Sequence, residues 1–295
     1  MVRQAAVGMA VALFSLLLIS NDSLAQTQAQ NPAPTESMPA DAPTVEVEYG
    51  SRRPIIDGVG WVFGIPRKVL MWDQRADNHS VSEETVGEVA GYLQERGLQD
   101  VKVRVNQYAP GQEWKRLTQN KNIGAGWRYT LGTLKCLEYT LVPGRLFGHD
   151  QYNPYTNSLY LYSDMPALGL AESAYAKDVQ HRKYPGTYAA VQSLPIVAMW
   201  HETLATGEVL EYVSLRGSAE EQEKIRRDLY ARYGIELGGE FGRLLPDGST
   251  LFPIVGALGG HGVATYNNQR PAEQQNTVPL QPTSYRPPVK ATWRR

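Results

Sequence analysis

The sequence predicts an α+β fold: one helix, a small and mostly antiparallel sheet, then a helical half. Three observations carry that expectation. Val86, Val89, Ala90 and Leu93 recur at helical spacing, and Val101, Val103 and Val105 then alternate with Lys102, Arg104 and Asn106. The run 157–163 is rich in Leu and Tyr and follows the turn residues Asn153 and Pro154. After Asp164 the strand patterns stop and apolar residues return at helical intervals. Strands gathered in one stretch and helices in another suit α+β better than a regular βαβ alternation.

The ends come first. Arg3, the apolar run 5–19 and the small residues of Ser23-Leu24-Ala25 read as a secretory signal peptide over 1–25, with an uncleaved anchor as the competing reading. Either places the protein in the periplasm or at the cell surface. Residues 26–44, rich in Gln, Pro, Thr and Ala, read as a disordered linker. Residues 267–295 read as a disordered Pro/Gln-rich tail, with Arg270, Arg286, Lys290, Arg294 and Arg295 against Glu273. Such a tail is either solvated or weakly drawn to an anionic envelope surface. The α+β domain is expected over 45–235, with a glycine-rich packed segment over 236–266. The formal net charge of −1 gives no whole-chain field to draw nucleic acid, so none is expected as a partner.

Within the domain, residues 80–97 read as a helix. Ser80 and Glu83 have capping-box spacing, Ser82 is a second cap candidate, and Gly97 ends the run. Residues 101–106 read as a half-buried strand, and 126–131 with 137–141 as a hairpin. The single cysteine, Cys136, sits among Leu134, Leu137 and Tyr139 and reads as a buried structural thiol. A helix capped by Ser163 or Asp164 should start at Pro166 and run to about residue 182. Another begins near Thr187, and Pro195 breaks it or opens a third that reaches about residue 215. Ser218 and Glu221 form a capping box for a helix ending near Gly234. Residues 251–266, with Gly256, Gly259, Gly260 and Gly262, read as a packed loop. The alternative is a segment making peripheral membrane contact or self-assembling. The glycines at 58–64 are not a P-loop, because no Lys-Ser/Thr follows them, and no G-x-S-x-G elbow is present.

One stretch points to chemistry. Residues 171–175 read Ala-Glu-Ser-Ala-Tyr, the frame of an HExxH motif without its histidines. In HExxH, imidazoles at i and i+4 share a helix face and hold zinc while the Glu activates water. The strand at 157–163 precedes this helix, and a helix carrying Trp200-His201-Glu202-Thr203-Leu204-Ala205 follows it. This order resembles the gluzincin clan of zinc metallopeptidases, in particular the compact heat-shock-type membrane peptidases, over about residues 80–212. The resemblance implies an edge strand bordering a cleft, the motif helix beneath it, and a Glu-x-x-Ala helix that brings the third ligand. It makes Glu172 the general base and Glu202 the third metal ligand, and sets Ala171 and Tyr175 at the histidine positions. Alanine offers no donor, and a phenol must lose a proton of pKa about 10 to ligate. His79, His149 and His261 have no partner at metal spacing, and His181, ten residues from Ala171, shares its helix face but lies roughly 15 Å away.

The resulting expectation is a pseudopeptidase with vestigial Glu172 and Glu202 and no cofactor. It would act as a binding or scaffolding module in the cell envelope. Zinc belongs only to the alternative, an active metallohydrolase with non-standard ligands. A structural envelope protein without peptidase ancestry is the second alternative. Because strand edges take extended peptides through main-chain hydrogen bonds, Tyr160, Leu161 and Tyr162, with His201, are the expected contacts for an extended peptide or an envelope protein.

Overall fold

The computed structural model describes residues 45–98, 100–216, 218–245 and 251–268. The expected signal peptide, the linker and all but the first two residues of the expected basic tail lie outside the described residues. The chain forms two compact units, divided in sequence between Leu194 and Pro195. That division falls inside the span 45–235 expected as one domain.

The first unit begins with β1 (Glu46–Tyr49), α1 (Pro54–Phe63), α2 (Ile65–Met71), α3 (Glu83–Glu95) and β2 (Lys102–Val105). It continues through α4 (Pro110–Gln119), α5 (Ala125–Trp127), a π-helical stretch (Arg128–Gly132), α6 (Thr133–Leu141) and α7 (Gly144–Phe147). It closes with β3 (Gln151–Asn153), β4 (Ser158–Leu161), α8 (Pro166–Gln180) and α9 (Pro185–Val191). The α+β class stands. The sheet order is β1-β2-β4-β3; the first two pairings are parallel and only β3–β4 is antiparallel. The expected mostly antiparallel sheet is therefore corrected to a mixed one. The cause is the segment 126–141, which is helical rather than a hairpin, so β2 reaches β4 through helices. Parallel neighbours require such a crossover.

The register sorts the two faces of the sheet. Val47, Val103 and Leu159 stand side by side on one face, as do Tyr49, Val105 and Leu161. This face joins Val86, Val89 and Leu93 of α3 in the main core. The other face carries the rows Glu46–Lys102–Ser158 and Glu48–Arg104–Tyr160. Lys102 and Arg104 were expected to face water, yet both are buried. Glu113 of α4 takes Arg104 Nε at 2.6 Å and accepts from Ser158 and Tyr160, while Lys102 Nζ meets Glu48 at 2.5 Å. A buried charge persists when it is paired and hydrogen-bonded, so β2 is covered on both faces.

Helix starts follow the local chemistry. Ser82 is the cap of α3 and accepts from Thr85 N. Asp164, one of the two cap candidates for α8, instead accepts from Ser82 N, Ser82 Oγ and Thr85 Oγ1. It ties the start of α3 to the end of β4.

The second unit comprises α10 (Pro195–Ser214), α11 (Ala219–Arg243) and α12 (Leu251–Asn268). The capping box at Ser218 and Glu221 is present, and α11 runs on past Gly234. The segment expected as a packed loop is the helix α12. Its glycines let two backbones close on each other: a Cβ on Gly256 would lie 2.0 Å from Gly234 O, and one on Gly260 would lie 2.2 Å from Tyr230 O. Small residues at these spacings permit this approach. No described helix is long and apolar enough to cross a membrane.

Candidate functional site

The helix that carries residues 171–175 is α8, and its sequence fits the core rather than a cleft. Ala171 is fully buried, and Tyr175 packs edge-on against Tyr152 with ring centroids 5.5 Å apart. Burial pushes the Tyr175 phenol well above its ordinary range, with Tyr152 and Tyr155 nearby adding to the effect. A phenolate ligand is strongly disfavoured there. Glu172 lies between them in sequence and turns to β3, where its Oε2 accepts from Tyr152 N at 2.9 Å. A carboxylate on an outward main-chain N–H caps a sheet edge.

Glu202 belongs to the other unit. Its Oε2 takes Arg232 Nη1 of α11 at 2.5 Å, while neighbouring Thr203 exchanges a hydrogen bond with Tyr233. Each of the two acidic residues thus has a partner inside its own unit. His201 is buried in α10, so the expectation that it contacts a partner is corrected: its side chain is withdrawn from the surface. Among the described residues, no group of three or more His, Cys, Asp or Glu converges as a metal site would.

The expected peptide-binding strand is also corrected. β4 lies between β2 and β3, and Tyr160, Leu161 and Tyr162 are buried. Its main-chain groups are already paired on both sides, so no strand can be added along it. The edges are β1 and β3, and on β3 the Tyr152 N–H is held by Glu172.

A concave site lies where β1 and β2 end, the end at which parallel strands commonly receive ligands. Gly50 N bonds Val105 O at 2.8 Å. Gly50 cannot carry a side chain, because a Cβ would meet Asn106 O at 2.0 Å. Asn106 adopts positive φ and turns β2 away sharply. The cavity beyond has a volume of about 300 Å³. Tyr49, Ser51, Arg53, Gln107, Tyr108 and Arg145 line it, with Ile56, Pro143 and Leu146 as apolar wall.

Beneath it runs a polar chain that sequence reading missed. Arg145 forks onto Asp57, Nε to Oδ1 at 2.6 Å and Nη2 to Oδ2 at 2.9 Å, and Nη2 also donates to Ser51 O. Asn106 Nδ2 donates to His79 O at 2.9 Å, and its Oδ1 lies 3.1 Å from His79 Nδ1. Burial alone would raise the Asp57 carboxyl; Arg145 and the Arg53 N–H outweigh it and hold it below its usual range. Burial lowers the His79 imidazole, which favours its neutral form. Gly60 makes room, since a Cβ there would lie 2.7 Å from His79 Nε2. No protein-family model matches this chain, and no match is found among curated proteins or solved structures. The site must be read from its own chemistry. It joins a rigid bidentate ion pair to aromatic and apolar walls, an arrangement suited to holding a ligand in one orientation. The signals that could have located it were Gly50 and Asn106, each one residue past a strand.

Proposed function

We propose that this protein is an exported, non-catalytic binding module of the cell envelope that takes an extended peptide along β1 into the cavity at its end. One observation carries the reading. β1 pairs only with β2 among the described residues, and its last residue, Tyr49, lines the cavity with Ser51 just beyond. Gly50 N points to β2, so strand alternation turns the N–H groups of Val47 and Tyr49 away from β2. A peptide pairing there gains main-chain hydrogen bonds, and its next side chain enters the cavity. The bidentate Arg145–Asp57 pair holds the cavity floor in place before the ligand arrives. The engagement of Glu172 with β3 and of Glu202 with Arg232 supports a binding role over hydrolysis.

The test selects peptides on the folded protein from a random library and follows amide hydrogen exchange. A bound peptide should slow exchange at Val47 and Tyr49 by tenfold or more and leave β3 unchanged. Selected peptides that leave both amides unprotected, or that are cleaved by the wild type but not by Glu172→Gln, would refute the reading.

A further inference from the structure

The segment 54–72, which forms α1 and α2, is turned inside out. All of its exposed residues are aliphatic, aromatic, proline or glycine. Ile55, Val59 and Val62 recur at i, i+4 and i+7 on α1, and Ile65 and Val69 of α2 with Trp72, the residue just past its end, repeat that spacing in sequence. All six are exposed, with Ile55 at 84% and Trp72 at 67%. The charged residues of the segment, Asp57, Arg67 and Lys68, are not exposed. Asp57 is bound to Arg145, and Lys68 Nζ donates to Asp77 O at 2.8 Å and Trp61 O at 3.1 Å. A contiguous outward apolar face of this kind marks an interaction surface.

The geometry points to the interfacial region of a lipid bilayer as its occupant, independently of what the cavity binds. A protein partner would be met by hydrogen-bonding groups, roughly one per 100–200 Å² of interface. Here Trp61 and Trp72 are the only exposed residues of the segment whose side chains carry a hydrogen-bond donor. Tryptophan favours the headgroup boundary, where its ring is apolar and its N–H is wet. The exposed Arg52 and Arg53 immediately precede the face and complement anionic headgroups. The ten residues of α1 and seven of α2 span about 15 and 10 Å. The hydrocarbon core is about 30 Å thick, so the pair lies in the plane of the surface.

The test uses the full chain with vesicles of phosphatidylethanolamine and phosphatidylglycerol carrying dibrominated acyl chains. Only Trp61 and Trp72 are retained, the other tryptophans being replaced by Phe. Vesicles should quench both indoles, and Val59→Asp with Val69→Asp should remove the quenching and weaken partitioning at least tenfold. Replacing phosphatidylglycerol by phosphatidylcholine should weaken it several-fold. Circular dichroism checks that the variant stays folded, which is expected because both positions face solvent. Vesicle binding without quenching of Trp61 and Trp72 would place the contact elsewhere and overturn the proposal, as would absence of binding. A lipid-free dimer dissolved by the same two substitutions, with no quenching by vesicles, would make the face a contact between copies and overturn it too.

Discussion

Arg104 Nε lies 2.6 Å from Glu113 Oε1, and both side chains are almost completely withdrawn from solvent. Arg104 Nη1 also meets Glu48, Gln107 and Gln112, while Glu113 accepts from Ser158 and Tyr160. The pair fastens α4 to the polar face of the sheet. Removing one member leaves the other charged and buried, which typically costs about 3–5 kcal/mol. Glu113→Ala should therefore lower unfolding stability by about that much in urea titration. Arg104→Met combined with Glu113→Leu should recover only part of the loss, because the apolar pair needs no partner but leaves the buried Ser158 and Tyr160 hydroxyls without their acceptor. Removing Glu138 from its exposed pair with Lys135 should change stability by less than about 0.5 kcal/mol.

The same pair explains what sequence reading gets right and where it stops. The alternation of β2 is legible because period two survives whatever covers each face. Its burial is not legible, because Arg104 reads as a solvent-facing residue until Glu113, nine positions on, is known to lie above it. In 126–141 the misleading residues are Tyr129, Leu134, Leu137 and Leu141, all exposed. The true inner stripe is Gly132, Cys136 and Tyr139, at helical spacing but with only one large member. A Cβ on Gly132 would stand 2.7 Å from Leu117 Cδ1, so that stripe must begin with a residue that periodicity ignores. The segment 54–72 defeats periodicity differently, since its apolar residues face outward. The HExxH frame places Glu172 on a helix correctly, but a five-residue pattern carries no information about which face of that helix is inside.

Asp150 provides a pH test. Its Oδ1 accepts from Tyr162 N at 2.6 Å and Ser163 N at 3.1 Å. Burial first, and neighbouring Asp77 second, push its carboxyl up to about 7. An unfolded aspartate titrates near 3.9. Between those values the folded state binds a proton that the unfolded chain has released, so stability falls as pH rises through the window and levels off above it. Asp150→Asn keeps an acceptor for both N–H groups and removes the titration. The stability of the variant minus that of the wild type should rise by about 2–4 kcal/mol from pH 4 to pH 8. A difference independent of pH would show that Asp150 is ionised in the fold across the range.

The α11–α12 contact separates two kinds of glycine. Gly234 and Gly256 face each other, and a Cβ on either would fall within 2.1 Å of the opposite carbonyl oxygen. Gly234→Ala or Gly256→Ala should force the helices apart and cost about 1–3 kcal/mol or more. Gly239 and Gly262 meet nothing within 4 Å. Alanine there should be neutral or stabilise by about 0.5–1 kcal/mol through reduced chain entropy. Thermal unfolding of the four single variants would display the split. Equal effects at all four would mean that backbone proximity is not what the glycines supply.

Glu172 distinguishes an edge cap from a general base. Its Oε2 holds the Tyr152 N–H, and glutamine keeps a carbonyl oxygen that can accept the same hydrogen bond. Glu172→Gln should therefore lie within about 1 kcal/mol of the wild type, since the exchange trades a charged acceptor for a neutral one. Glu172→Ala leaves the donor unsatisfied and should cost about 1–3 kcal/mol. It also uncovers the outer edge of β3, and uncovered edges pair with other chains. The alanine variant should accordingly associate with rising concentration in sedimentation experiments, while the glutamine variant stays at the wild-type mass. A general base would instead show itself in turnover, which glutamine would abolish as completely as alanine does.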